Sequence, residues 1–91
     1  MKVRWTARAL GDLSRLYEFL AIRNRDAAAR TIQALVKAPD RLAQTPRIGE
    51  RLTQFEPKEV RRVLVGDYEV RYEIRESGIY VLRLWHGRED R

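Results

Sequence analysis

Apolar positions recur along this 91-residue chain with two different periods, and the change of period divides it. In the first third, Leu10, Leu13, Tyr17 and Leu20 return at steps of three and four, while Arg8, Asp12, Arg15 and Arg23 lie mostly off that stripe. This spacing predicts an amphipathic helix from Ala7 to about Arg23. Before it, Lys2 to Trp5 alternate polar and apolar as a short strand would, and Thr6 has the side-chain oxygen that caps a helix. Asn24 either ends the first helix or caps a second, whose stripe of Ala28, Ile32 and Leu35 runs to Ala38, where Pro39 ends or kinks it. Asp26 sits where the backbone dipole favours negative charge. Residues Asp40 to Glu59 carry Pro46, Gly49 and Pro57 among charged side chains, with Leu42, Ile48, Leu52 and Phe55 as anchors, and read as a connection.

The last third changes to period two. VRRVLV, YEVRYEIR and IYVLRLWH are three strand-like runs separated by Gly66-Asp67 and by Glu76-Ser77-Gly78, which predicts an antiparallel meander. The order is β-α-α-β-β-β, an α+β fold with a helix hairpin packed on a small, mainly antiparallel sheet.

Strand phase makes this prediction specific. Tyr68, Val70, Tyr72 and Ile74 alternate with Glu69, Arg71, Glu73 and Arg75, so one face packs inward and the other meets water. A two-residue turn at Gly66-Asp67 sets Val65 opposite Tyr68, Val63 opposite Val70 and Arg62 opposite Arg71. A three-residue loop at Glu76 to Gly78 sets Ile74 opposite Tyr80, Tyr72 opposite Leu82, Val70 opposite Leu84 and Arg71 opposite Arg83. A two-residue loop would drive Arg83 into the core, so the longer loop is the expected one. Arg62, Arg71 and Arg83 then form one row on the outer face. Like charges directly opposite are destabilising, so the row suggests an anionic partner; the alternative is that Glu69 and Glu73, diagonal to it, neutralise it as a solvated ladder.

Composition narrows the function classes. With 44% hydrophobic and 35% charged residues the chain is globular, and it has neither a signal-peptide run nor a membrane-spanning one, which places it in the cytoplasm. Cysteine is absent and His86 is the one histidine, so neither thiolate chemistry nor a zinc site is expected, and no metal or cofactor is implied. Net charge is +6, and only three of the 19 basic residues, Lys2, Lys37 and Lys58, are lysine. Arginine grips phosphates and carboxylates two bonds at a time, although a genomic preference for arginine codons accounts for the ratio equally well. Trp5 is expected in the core. Trp85, beside Glu69, falls on the outer face, where it packs on the sheet or offers a stacking surface. His86 and Arg88 close the last strand; phase puts His86 on the packed face beside Tyr68, a structural position more than a catalytic one.

YEVRYEI in the middle strand, IYVLRLWHGRED at the end and the Pro46–Gly49 stretch after the second helix together resemble the RelE/ParE toxin superfamily, especially its ParE branch. The most specific piece is His86, Gly87, Arg88, Glu89 and Asp90, and the likeness extends over nearly the whole chain, as a single toxin domain at residues 1–91. The resemblance implies a cognate antitoxin whose flexible acidic segment folds against the basic toxin and often corepresses their operon. It also implies one of two targets. ParE-like members poison DNA gyrase; RelE-like members enter the ribosomal A site and cut messenger RNA.

RNA cleavage needs a base, an acid and cations around the phosphate. RelE-like enzymes supply these with lysines before the second strand, an arginine after the middle-strand tyrosine, a late arginine and a terminal tyrosine. Here the middle-strand position is Glu69, Lys58 stands between Glu56 and Glu59, the chain stops at Arg91, and only Arg88 matches. The first expectation is therefore a non-enzymatic gyrase inhibitor, with Arg62, Arg71, Arg83, Trp85 and Arg88 binding antitoxin or target. The alternatives are a ribosome-dependent endoribonuclease using Arg71, Arg83, His86 and Arg88, and an inactive member that still binds its antitoxin.

Overall fold

In the computed structural model, which describes residues 1–87, β1 (Val3–Trp5) leads directly into α1 (Ala7–Ala21). The Thr6 side chain caps α1 by accepting from the Ala9 N–H at 3.2 Å. Asn24 caps α2 (Arg25–Lys37) in the same way, through Ala27 at 3.0 Å. Its two readings from sequence thus resolve in favour of the second helix. Pro39 ends α2 by starting a 3-10 turn over Ala38–Ala43.

The segment read as a connection has more structure than expected. Two further 3-10 turns, Pro46–Ile48 and Thr53–Phe55, flank a two-residue strand, β2 (Glu50–Arg51), that pairs with β3 (Glu59–Val65). β4 (Tyr68–Arg75) and β5 (Gly78–His86) complete the meander. The five-stranded sheet has the order β1-β5-β4-β3-β2, antiparallel except where β1 runs parallel to β5. The fold is α+β, two helices on a mixed sheet.

The first hairpin has the expected register, with Val65 opposite Tyr68 and Arg62 opposite Arg71. Gly66 takes φ +59°, the positive value that this tight turn requires at its first central residue. The second hairpin corrects the expectation. Its turn is only Glu76-Ser77, with Arg75 opposite Gly78, Ile74 opposite Ile79 and Tyr72 opposite Val81, and the extra residue appears later as a bulge at Leu82. Beyond it, Arg71 faces Arg83 and Val70 faces Leu84 as expected. The bulge resets the alternation, so Ile79 and Val81 point into the core on one side of it and Leu84 on the other, while Arg83 stays out.

One core lies between α1, α2 and the sheet, with Ala9, Leu16, Leu35, Val70, Val81 and Leu84 at its centre and Trp5 packed against it. A second cluster, Leu42, Tyr72, Ile74 and Ile79, seats the 3-10 turns. The expected apolar stripe of α1 is rotated. Leu10 and Tyr17 are exposed, and Ala9, Asp12 and Leu16 are the buried positions, because the small Ala9 lets the helix approach the sheet closely. Asp12, read as a solvent-side residue, is only 6% exposed.

Candidate functional site

The arginine row exists. Arg62, Arg71 and Arg83 share the outer face of the meander, and Trp85 stands beside Glu69 on the same side. Their charges, however, are met within the fold. Glu69 is buried and splits its carboxylate, accepting from Arg62 at 3.2 Å and from Arg71 at 3.3 Å. Arg62 also donates to Glu50 at 2.7 Å. Arg83 turns toward the sheet edge and grips Asp12 with two bonds, 2.8 and 3.2 Å.

The face is also drier than the alternation implies. Glu69 and Glu73 are buried where the sequence placed them in water, and Trp85 packs on the sheet, the first of its two readings. Arg71 lies 4.7 Å from the Trp85 ring and 5.2 Å from the Phe55 ring, so the 3-10 turn at Thr53–Phe55 contributes an aromatic wall that strand phase gave no hint of. Arg83 lies 5.7 Å from the Trp85 ring. The Nε of Arg71 is buried without a hydrogen-bond partner among the described residues. What results is a rigid cationic and aromatic platform, its guanidiniums already oriented.

Asp12 holds the near edge of this platform. Besides Arg83 it accepts the Leu84 N–H at 3.0 Å, a donor that β1 is too short to reach. Burial pushes the Asp12 carboxyl upward, but the bonds from Arg83 and Leu84 and the charges of Arg83 and Arg15 outweigh it, and the net shift is below the ordinary value of 3.8.

At the other end of the sheet, the Tyr72 hydroxyl donates to the Pro46 carbonyl at 2.7 Å and accepts the Gly49 N–H at 3.0 Å. A β-carbon on Gly49 would stand 2.5 Å from the Arg62 carbonyl and 2.6 Å from that hydroxyl, so only glycine fits. Arg61 adds a bond to the Gly49 carbonyl at 2.7 Å. The Pro46–Gly49 stretch is thus a clasp that lays β2 on β3, and its function is architectural.

His86 occupies the opposite face from the row. It lies opposite Tyr68, edge-on with ring centroids 5.2 Å apart, as strand phase required. Arg88 lies outside the described residues. The structure therefore brings Arg62, Arg71, Arg83 and Trp85 together and separates them from His86 by the thickness of the sheet.

The fold agrees with the comparisons to known proteins. A family model described as the ParE toxin of type II toxin-antitoxin systems, parDE, matches residues 3–91. The chain belongs to that family. Among curated relatives, Toxin RelE2 of Caulobacter vibrioides is 33% identical over 86 residues, covering 94% of each chain. Toxin RelE1 of the same organism is 33% identical over 90 residues, covering 94% of this chain and 92% of its own. The fold matches a chain of the chromosomal ParDE TA system from P. aeruginosa with TM-score 0.80 at 21% identity, over 94% of this chain and 95% of that one. The chain is a toxin of the RelE/ParE superfamily, and among the described residues no helix is long and apolar enough to cross a membrane.

Proposed function

We propose that this toxin acts by binding, as a cytoplasmic inhibitor of DNA gyrase without chemistry of its own, and that a cognate acidic antitoxin neutralises it. The observation that carries this reading is the separation of His86 from Arg71 and Arg83. A ribonuclease needs its base, acid and phosphate-binding cations around one phosphate, within hydrogen-bond reach of it. Here the imidazole is on the helix face, the Arg71 guanidinium is on the other, and the Arg83 guanidinium is held at the sheet edge by Asp12 of α1. Beside Arg71 stands the buried carboxylate of Glu69, which repels phosphate.

The outer platform of Arg62, Arg71, Arg83 and Trp85, extended by Arg88, is the surface we assign to macromolecular contact. Oriented cations on a rigid sheet lose little side-chain entropy on binding. The test is a gyrase supercoiling assay with purified toxin, run beside a translating-ribosome assay for new message ends. Blocked supercoiling or accumulated cleaved DNA, with intact message, is the expected result. The ribonuclease reading draws on the 33% identity to two proteins named RelE toxins, and message cleavage that disappears in His86→Ala would establish it instead. Neither activity, with harmless expression and antitoxin binding retained, would mark an inactive member.

A further inference from the structure

Where β1 stops, α1 takes over the β5 edge and runs on along it, as the bond between Asp12 and the Leu84 N–H shows. The last turns of α1 reach the end of the sheet, and between them and the strands lies a cavity of about 690 Å³. Tyr68, the first residue of β4, and His86, the last of β5, form its floor, their rings held edge to face at 5.2 Å. Leu16 and Leu20 line it from the helix, and Phe19, 64% exposed, stands at its mouth. The volume falls within the range of about 300–1,000 Å³ typical of small-molecule sites.

Shape and charge together select the occupant. Walls that carry a phenyl ring, a phenol and an imidazole favour a flat ring system, which packs edge or face against each of them. Arg15 lies one helical turn before Phe19, and Arg23, in the turn that follows α1, lies one turn after it, so a guanidinium flanks the ring on either side. The Arg15 side chain is 47% exposed, 3.7 Å from Asp12, and Arg23 is exposed. Among the described residues no acid lines the cavity. The C-terminal dipole of α1 opposes an anion here, but the Leu20 carbonyl already accepts from the Arg23 and Asn24 N–H groups, each at 3.1 Å. A second copy of this chain, itself +6, would bring further cations against these arginines.

We propose that this cavity binds a small aromatic anion. Its ring system lies between Phe19 and the floor of Tyr68 and His86, and its carboxylate, sulfonate or phosphate accepts hydrogen bonds from Arg15 and Arg23 at the rim. The site is on the helix side of the sheet, away from Arg71 and Trp85, so it stands whatever the outer platform contacts.

The probe is anilinonaphthalene sulfonate, added to the full-length toxin. It should brighten on binding and saturate at one molecule per chain, with a dissociation constant on the order of 10–100 µM. His86 is the one histidine, so its ring protons report the site alone; they should shift in step with saturation while the amide of Arg30, on the exposed surface of α2, does not. Phe19→Ala should weaken binding about tenfold, and Arg15→Gln with Arg23→Gln about as much, with the urea midpoint little changed because these side chains are exposed. Phenylnaphthylamine, which lacks the sulfonate, should bind more weakly and ignore the arginine changes. Naphthoate should displace the probe and decanoate should not; displacement by decanoate as strong as by naphthoate would make this an acyl-chain cleft and overturn the aromatic assignment. A His86 signal that stays still at saturation, or affinity unaltered in the variants, puts the probe elsewhere and overturns the site, as does the absence of binding. Self-association of the toxin abolished by Phe19→Ala would give the cavity to a second copy and also overturn the proposal.

Discussion

The two edges of the sheet are finished by different means. At the β5 edge, β1 pairs with Ile79 to Val81, the Thr6 hydroxyl donates to the carbonyls of Val81 and Leu82, and Asp12 takes the Leu84 N–H. Backbone groups past the end of β1 are met by α1 side chains. At the β3 edge, β2 is two residues long, and Leu64 is left to solvent. An edge sealed by buried polar groups contributes to stability; an edge left open contributes little and remains available to a partner. Substitutions at the β5 edge should therefore act on folding, and those at the β3 edge on association.

The largest effect is expected at Asp12. Asp12→Ala leaves the buried Leu84 N–H without its acceptor and removes both bonds to Arg83, and should cost about 3 kcal/mol in urea unfolding, enough to separate the edges clearly. A loss below about 1 kcal/mol would mean that water seals this edge as well as the carboxylate does. Tyr72→Phe comes next, since it leaves the Gly49 N–H and the Pro46 carbonyl without their bridge; a cost of about 2 kcal/mol is expected, with Gly49→Ala at least as severe because its β-carbon meets backbone.

Acid sharpens the comparison further. The folded value of Asp12 is depressed, so the native state binds fewer protons there than the unfolded chain does. Its contribution is complete above the ordinary value of 3.8 and drains away as pH falls through the lower folded one. The stability gap between the natural chain and Asp12→Asn should be constant near neutrality and close only below about pH 4. A gap that closes between pH 5 and 7 would point to another group. The smallest effect belongs to Leu64→Pro, which should change unfolding stability by less than about 1 kcal/mol; a loss as large as that of Asp12→Ala would show that the β3 edge is structural after all.

Much of this was readable beforehand because strands report themselves with a period of two. Tyr68 to Arg75 fixed its own phase, and that phase carried Arg62 to Arg71, Arg83 to Arg71 and His86 to Tyr68. What escaped was anything settled by contact between distant segments. The bulge at Leu82 lets a two-residue turn and an outward Arg83 coexist, and a reading that allowed only uninterrupted pairing had to lengthen the turn instead. α1 was read one position out of phase because Leu10 and Tyr17 are larger and more apolar than Ala9, whereas close packing favoured the smaller residue. Glycine and proline in Pro46–Gly49 marked a turn, but nothing local revealed that Tyr72, 23 residues beyond Gly49, would close it.

The sequence by itself determined the order of the two helices and the four longer strands, the meander, the face on which Arg62, Arg71, Arg83 and His86 would stand, and the family. Those follow from local periodicity and from short motifs, which survive without knowledge of neighbours. Only the tertiary structure decided that the arginine row is internally neutralised, that Asp12 is buried to complete a strand edge, and that the opposite edge stays open. Each depends on which carboxylate or backbone group comes within about 3 Å of another across the fold, and hydrogen bonding at that range is set by packing, not by spacing along the chain.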